Sequence, residues 1–424
     1  MVRDLGRAIG VFFMKKWVLK KAALRRFESG HPWVFSNEIE SVKGIEKGEV
    51  VDLHDPSGRF LARGFGNTAS LIAFRFLSDS KEEIELDWFV QKILERRSLR
   101  EKLGLRASRR LLHGEVDGTP GLVLDEFVAG SKFYWIFHVH SAGMERLLSQ
   151  FTIAQLNEKL KEKFEAFSNL AAIVFRRDSR SRELEGLELR DVESIGVLPD
   201  LAKIDVDQGE IVQFQVNFKE GQKGGFFLDQ RKNVEWLRNF LKHYQFENSS
   251  PEVLDAFCYC GQWGLGAARE IQGLNLKPRV TFADASESAL DSAIQNASQY
   301  NIEAEKFKMD LVETDWQWIN KFDVVICDPA ALIKSKKHYF AGRRAYLKVF
   351  TRSLKALKQK GIFVFSSCSF HLSKTDLVEL LKEAQRSLGV RVRILHEFSL
   401  PPDHLRSPDF PEGDYLKGLI GVME

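Results

Sequence analysis

From Glu252 onward, strands are read near "EVLDAF", "RVTFADA", "EKFKM", "FDVVICD", "GIFVFSS", "RVRILHEF" and "KGLIGVM", with helices between them. Strands and helices alternating at these lengths build βαβ units on a parallel sheet. An open sheet of that kind binds ligands at the carboxyl edge of its strands. This chain puts an acid at four of those edges: Asp255, Asp284, Asp310 and Asp328. After the first strand comes "FCYCGQWGLGAARE", where Gly261, Gly264 and Gly266 let a backbone turn approach a ligand closely before a helix begins. The spacing is G-x-x-G-x-G and differs from the dinucleotide fingerprint G-x-G-x-x-G. Asp284 stands where an acid bonds a ribose hydroxyl in nucleotide-binding folds. A glycine turn alone would be structural; four acids in register make a ligand site.

The chain has 424 residues, enough for two or three domains. Residues 14–84 read as a small antiparallel β unit with little helix, because "KGEVVDLHDPSGRFLARGFGN" alternates apolar and polar residues around a turn signal. Residues 85–207 read as an α+β connector: a helix over "LDWFVQKILERRSLREKLGL", strands around "DGTPG" and "SKFYWIFHVH", a helix from about Met144 to Phe167, and the strand "AAIVFRRDS". Residues 208–424 carry the α/β pattern. The expected fold class is multidomain α/β.

A net charge of +3 hides an uneven distribution. No acid lies between Asp328 and Asp376, while eleven bases do: Lys334, Lys336, Lys337, Arg343, Arg344, Lys348, Arg352, Lys355, Lys358, Lys360 and Lys374. Residues 1–30 add eight Lys or Arg against Asp4 and Glu28. Such fields concentrate a polyanion such as RNA. Taken alone, each run reads equally well as a solvated helix face. Four cysteines (Cys258, Cys260, Cys327, Cys368) lack the spacing of a disulfide framework or a zinc site, so the reading is a reducing compartment and no metal. "AIGVFFM" is too short to span a bilayer and has no small-residue cleavage site, which points to a cytoplasmic protein without membrane contact. The first thirteen residues read either as part of the folded chain or as an extension upstream of a start at Met14.

Asp255 with Gly261 and Gly264, then Asp284, Asp310 and Asp328, resemble the successive motifs of class I S-adenosylmethionine-dependent methyltransferases. More narrowly, "HPWVFSNEIE", "LLHGEVDGTPGLVLDEF", "GQKGGFFLDQRKN", "SSCSFHLS" and "PEGDYLKG" resemble the bacterial 23S ribosomal RNA 5-methylcytosine methyltransferase family with an N-terminal PUA domain. The resemblance runs from about Arg26 to the C-terminus. It implies a PUA-like RNA-binding domain over 14–84, a central α+β domain over 85–207 and a Rossmann-like methyltransferase domain over 208–424. It also implies that S-adenosyl-L-methionine is the cofactor and RNA, 23S rRNA above all, the partner. Asp284 would hold the cofactor ribose, Asp310 would lie near the adenine, and the loop from Asp255 through Phe257 and Gly261 to Gly264 would surround the methionine. Asp229 and Arg231 would flank the site, against cofactor or RNA. The oligomeric state stays open, a homodimer being compatible. One departure stands out: the family usually reads D-P-P-A-F where this chain reads "DPAAL", with Ala330 for a proline and Leu332 for an aromatic ring that could pack on a flipped base.

C5 of cytosine is too weak a nucleophile to take a methyl group unaided, so its methylation needs a thiolate to add at C6. Cys368 ends the fifth strand, beside the fourth and Asp328, and is the expected nucleophile, with Asp328 orienting the base. The basic run from Lys334 to Lys374 is expected to lower the thiol's pKa. Cys327 alternates to the opposite face and reads as a small buried hydrophobe. His371 reads as a surface or capping residue. Lys334, Lys336 and Lys337 are the expected RNA contacts. Two other readings stay open: an RNA N-methyltransferase with Cys368 as bystander, and a noncatalytic RNA-binding or assembly factor.

Overall fold

Runs such as Val324–Cys327 and Ile362–Phe365 show no polar alternation, which suits strands covered on both faces. In the computed structural model, which describes residues 14–424, they lie in the middle of one seven-stranded sheet. Its strands are β1 (Glu252–Ala256), β2 (Arg279–Asp284), β3 (Glu303–Lys308), β4 (Phe322–Cys327), β5 (Leu357–Ser367), β6 (Val392–Phe398) and β7 (Lys417–Met423). Their order is β3-β2-β1-β4-β5-β7-β6, parallel except that β7 runs against both β5 and β6. The order reverses between β1 and β4, so the crevice for a ligand opens at the carboxyl ends of those two strands. Side-chain alternation sends Val253, Phe282, Val324, Ile326 and Val364 into the layer of helices Arg231–Leu241, Gln262–Gly273 and Glu287–Ser298. Leu254, Ala283, Val325, Cys327 and Phe365 face helices Tyr339–Ala356 and Lys374–Leu388 on the other side.

The N-terminal unit is a five-stranded sheet containing Glu49–His54 and Phe60–Gly66, which pair across the Asp55–Gly58 turn. One helix, Lys21–Glu28, packs with it. The central unit has strands Arg109–His113, Leu122–Ala129, Lys132–Val139, Leu170–Arg177 and Arg190–Gly196 in spatial succession. A hairpin, Ala202–Asp207 with Ile211–Val216, crosses position 207/208 and buries Val206, Val212 and Phe214 in the same core as Val253.

The single helix expected over Met144–Phe167 is two helices, Ala142–Leu148 and Ile153–Lys163, followed by a short turn of 3-10 helix. The cause is local: the Thr152 hydroxyl accepts from the Gln155 amide at 3.1 Å and Gln155 returns a bond to the Thr152 amide, a capping box that starts a new helix. The basic residues among positions 1–13, and the "AIGVFF" part of the N-terminal apolar run, lie outside the described residues. Among the described residues no helix is long and apolar enough to cross a membrane.

Several of the quoted motifs form the joints between units. Trp33 of "HPWVF" donates to Glu115 at 2.7 Å and meets the Phe410 ring edge-on at 4.8 Å. Arg75 bridges Glu115 and Glu185. Asp403, fully buried, accepts from the Arg110 amide at 2.8 Å and pairs with Arg231 at 3.1 Å, while its carbonyl accepts from Arg100.

Candidate active site

The loop after β1 is wound tightly. Phe257 (φ 64°), Tyr259 (φ 48°) and Gly261 (φ 80°) are all left-handed, a conformation that costs a non-glycine residue energy and marks functional loops. Gly264 is fixed by contact: a Cβ there would sit 2.9 Å from the Asp255 Cβ and 3.0 Å from the Phe282 ring. That closeness lets the Gly264 amide donate to Asp255 Oδ2 at 2.7 Å. Asp255 Oδ1 is buried with no hydrogen-bond partner. Burial pushes its carboxyl well up, and the charges of Asp328 and Asp284 add to the rise. Asp284, half-buried at the end of β2, accepts from the Tyr259 and Ser286 amides. Asp310 lies two residues past β3, exposed, and accepts from the Val312 and Glu313 amides. Buried Asp255, an orphaned acceptor, a left-handed turn and Asp284 at the next strand end are what a nucleoside with an amino-acid tail requires, so these residues fit the cofactor that the motifs imply.

Asp328 follows β4 by one residue. Its Oδ2 accepts from Gln230 Nε2 at 2.9 Å and from Trp263 Nε1 at 3.2 Å. The Gln230 amide is oriented because Asn233 Nδ2 donates to its Oε1, which leaves Nε2 to serve Asp328 and the Ser366 hydroxyl. Burial pushes the Asp328 carboxyl up to about 6, restrained by the bonds from Ser366, Trp263 and Gln230 and aided by the Asp229 charge.

Cys368 follows β5 by one residue, between two serines that are tied down. Ser367 donates to the Tyr346 hydroxyl at 2.8 Å, and Ser369 shares a 2.8 Å bond with the same hydroxyl and accepts from the Ile333 amide. Lys417 donates to the Ser369 and Leu372 carbonyls at 2.7 Å each. Both serines are fully buried, whereas Cys368 is the one cysteine of the four that is not. Cys327 lies in the opposite core, and burial pushes its thiol far up.

The expected electrostatics of Cys368 need correction. Burial pushes its thiol up to about 11, and the charge that opposes the rise belongs to Lys223, outside the Lys334–Lys374 run; Asp328 and Asp229 push it further up. Five of the eleven bases of that run are engaged elsewhere: Arg343 pairs with Glu383, Lys348 with Glu313, Arg352 with Asp315, Lys358 with Asp323 and Lys360 with Glu247. Lys334, Lys336 and Lys337 are exposed, just before the helix Tyr339–Ala356.

Asp229 accepts from Lys223 and from the Tyr415 hydroxyl, both at 2.7 Å. Burial works against its ionisation, yet Lys223 and His404 hold the carboxyl well below the usual range. Arg231 is turned to Asp403. Leu332 packs against the core that includes helix Tyr339–Ala356, and Ala330 is exposed. His371 is half-buried beside Phe370. Sequence reasoning missed Gln230, Trp263, Lys223 and Tyr415. All four stand inside the quoted motifs, so the motifs held the signal although spacing did not. Among the described residues no cluster of His, Cys, Asp and Glu could hold a metal ion.

Comparison with known proteins agrees with this geometry. A PUA-like domain family matches residues 18–79 and a methyltransferase domain family residues 247–401. A ribosomal RNA large subunit methyltransferase I from Serratia proteamaculans is 31% identical over 414 residues, covering 94% of this chain and 96% of its own. One from Erwinia tasmaniensis is 31% identical over 412 residues, with 94% and 96% covered. A candidate SAM-dependent methyltransferase from Streptococcus mutans shares the fold at a TM-score of 0.74 and 15% identity, covering 96% of this chain and 100% of that one. With a PUA-like unit at one end and a seven-stranded methyltransferase sheet at the other, the chain belongs to the ribosomal RNA large subunit methyltransferase I family.

Proposed function

We propose that this protein methylates C5 of a cytosine in large-subunit ribosomal RNA, with Cys368 as the nucleophile. The cofactor is S-adenosyl-L-methionine, which supplies an electrophilic methyl group when bound. Asp284 would hold its ribose, Asp310 would lie near the adenine, and the Asp255–Gly264 turn with Phe257 would enclose its methionine. The observation that carries the reading is Cys368 itself: of four cysteines it alone is not buried, and it stands at the strand end next to Asp328.

The chemistry follows from these groups. A target cytosine is flipped out of its stack at a cost of a few kcal/mol. The Cys368 thiolate adds to C6, forming an S–C6 bond and moving the C5–C6 π pair toward C5, which becomes nucleophilic. Asp328 orients the base, with Gln230 and Trp263 holding its carboxylate. After C5 is methylated, loss of its proton returns electrons to the ring and expels the thiolate. The PUA-like domain and the exposed Lys334, Lys336 and Lys337 would grip the RNA backbone.

A second reading is favoured by the setting of the thiol, where partial burial and the charges of Asp328 and Asp229 push against its ionisation. A protonated Cys368 would be a bystander in an N-methyltransferase in which Asp328 holds an exocyclic amine. Bisulfite sequencing of ribosomal RNA from cells with and without the gene tests the main reading. One cytosine should lose its protection when the gene is absent; no loss of protection anywhere would refute C5 chemistry on that RNA.

A further inference from the structure

Addition to C6 needs a sulfur anion, and the thiol that would provide it is half-buried and under the charge of two carboxylates. Six ionisable groups act on Cys368 through their charges or feel its own: Lys223, Asp229, Asp328, Tyr346, Tyr415 and Lys417. The two carboxylates oppose a thiolate. Lys417 spends its ammonium on two backbone carbonyls. Of these six, Lys223 is the remaining cation.

Its setting is unusual. Lys223 is left-handed at φ 46° and is followed by Gly224 at 69° and Gly225 at 95°, so the chain accepts a costly conformation to hold this side chain here. The ammonium lies 2.7 Å from Asp229 Oδ2, 4.4 Å from the centroid of the Phe227 ring and 5.7 Å from that of Tyr415. A cation over two ring faces is held by their quadrupoles as well as by the carboxylate. The pair is lopsided: the Lys223 side chain is 36% exposed and that of Asp229 4%. Asp229 also accepts from Tyr415 and keeps Oδ1 unpartnered. The next residue, Gln230, bonds both Asp328 and Ser366, so this segment is fastened to the ends of β4 and β5.

We propose that Lys223 is a positioning residue for the Cys368 thiolate: its ammonium, tethered by Asp229 and flanked by Phe227 and Tyr415, stabilises the sulfur anion, and Asp229 competes for the same charge. Ionisation releases the S–H proton to bulk water and leaves its electron pair on sulfur; no other bond changes. The inference rests on Cys368 being the nucleophile. It makes substitutions of the two paired residues act in opposite directions, which loss of packing would not do.

The test is the rate of Cys368 alkylation by iodoacetamide against pH, in the full-length protein without RNA or cofactor, read on the Cys368 peptide by mass spectrometry. Below the thiol's pKa, Lys223→Met should slow alkylation by about threefold or more, the effect of about half a pKa unit. Lys223→Arg should retain most of the rate, and Asp229→Asn should increase it. An unchanged rate in Lys223→Met, or slowing in both Lys223→Met and a folded Asp229→Asn, would overturn the proposal. Should Asp229→Asn fail to fold, the contrast between Met and Arg at the half-exposed Lys223 decides it. If alkylation responds to Lys223 but no RNA adduct forms on Cys368, the charge coupling of Lys223 to the thiol holds while the nucleophile reading, and the positioning role that rests on it, fall; an adduct on Cys368 with alkylation blind to Lys223 overturns this inference alone.

Discussion

Asp403 ties three parts of the chain together in a place water does not reach. Its carboxylate accepts from the Arg110 amide at 2.8 Å and from His404 at 3.0 Å, and it pairs with Arg231, which is 1% exposed. Arg231 Nε and Nη1 have no hydrogen-bond partner, so removing Asp403 strands a buried guanidinium. Breaking a buried pair in that way costs about 3–5 kcal/mol, and Asp403→Ala should lose that much. The double variant Asp403→Ala/Arg231→Met should recover more than about 1 kcal/mol, because no unpaired charge remains. Burial opposes ionisation of Asp403, yet Arg231 and His404 hold its carboxyl far below the usual range. A depressed folded pKa gives stability that is present above the unfolded value and lost as pH falls through the folded one. The gap between parent and Asp403→Asn should therefore stay constant from about pH 7 to 5 and shrink only below about 3.9. Urea unfolding by circular dichroism, with calorimetry to show which transition moves, reads both effects. A cost below about 1 kcal/mol for Asp403→Ala, or a double variant as unstable as the sum of its parts, would refute the reasoning.

Alanine at Lys334, Lys336 and Lys337 together should weaken RNA binding across sequences and flatten its salt dependence by about 0.7 for each single-stranded phosphate no longer neutralised, with cofactor affinity unchanged in a calorimetric titration. Gly264→Ala forces a Cβ to 2.9 Å from Asp255 and should lower cofactor affinity at least about tenfold, or about 1.4 kcal/mol, measured the same way. If Asp328 acts as a carboxylate, the methylation rate should rise with pH through about 6. Gln230→Leu removes a bond to the ionised form, so that limb should move to higher pH; an unmoved limb would separate Gln230 from the titration.

The central strands of the catalytic sheet were legible as short apolar runs between helical stretches, whereas β3 is mostly charged and exposed and no α-helix separates β3 from β4 or β6 from β7. The sheet order then brings Asp255 and Asp328 together at the reversal. What acts on those acids was not legible. Tyr415 reaches Asp229 across 186 positions of sequence, and no periodicity encodes that contact. The charge near Cys368 was misread for a related reason. Counting bases between Asp328 and Asp376 records sign without direction, and residues such as Arg343 and Arg352 turn to Glu383 and Asp315. The helix break at Thr152 was readable, since "TIAQ" is a capping pattern, but the apolar period on both sides masked it.

The central claim is that Cys368 bonds to C6 of a cytosine. Incubating the protein with S-adenosyl-L-methionine and an RNA carrying 5-fluorocytosine tests it, because fluorine at C5 cannot leave as a proton and the thioether persists. The account predicts a protein–RNA adduct that survives denaturation. Cys368→Ala should abolish it and lower turnover by about a thousandfold, or about 4 kcal/mol of transition-state stabilisation. Cys327→Ala should keep the adduct and lose about 1 kcal/mol of stability. An adduct that survives in Cys368→Ala but vanishes in Cys327→Ala would contradict the account, as would RNA methylation with no adduct in the parent protein.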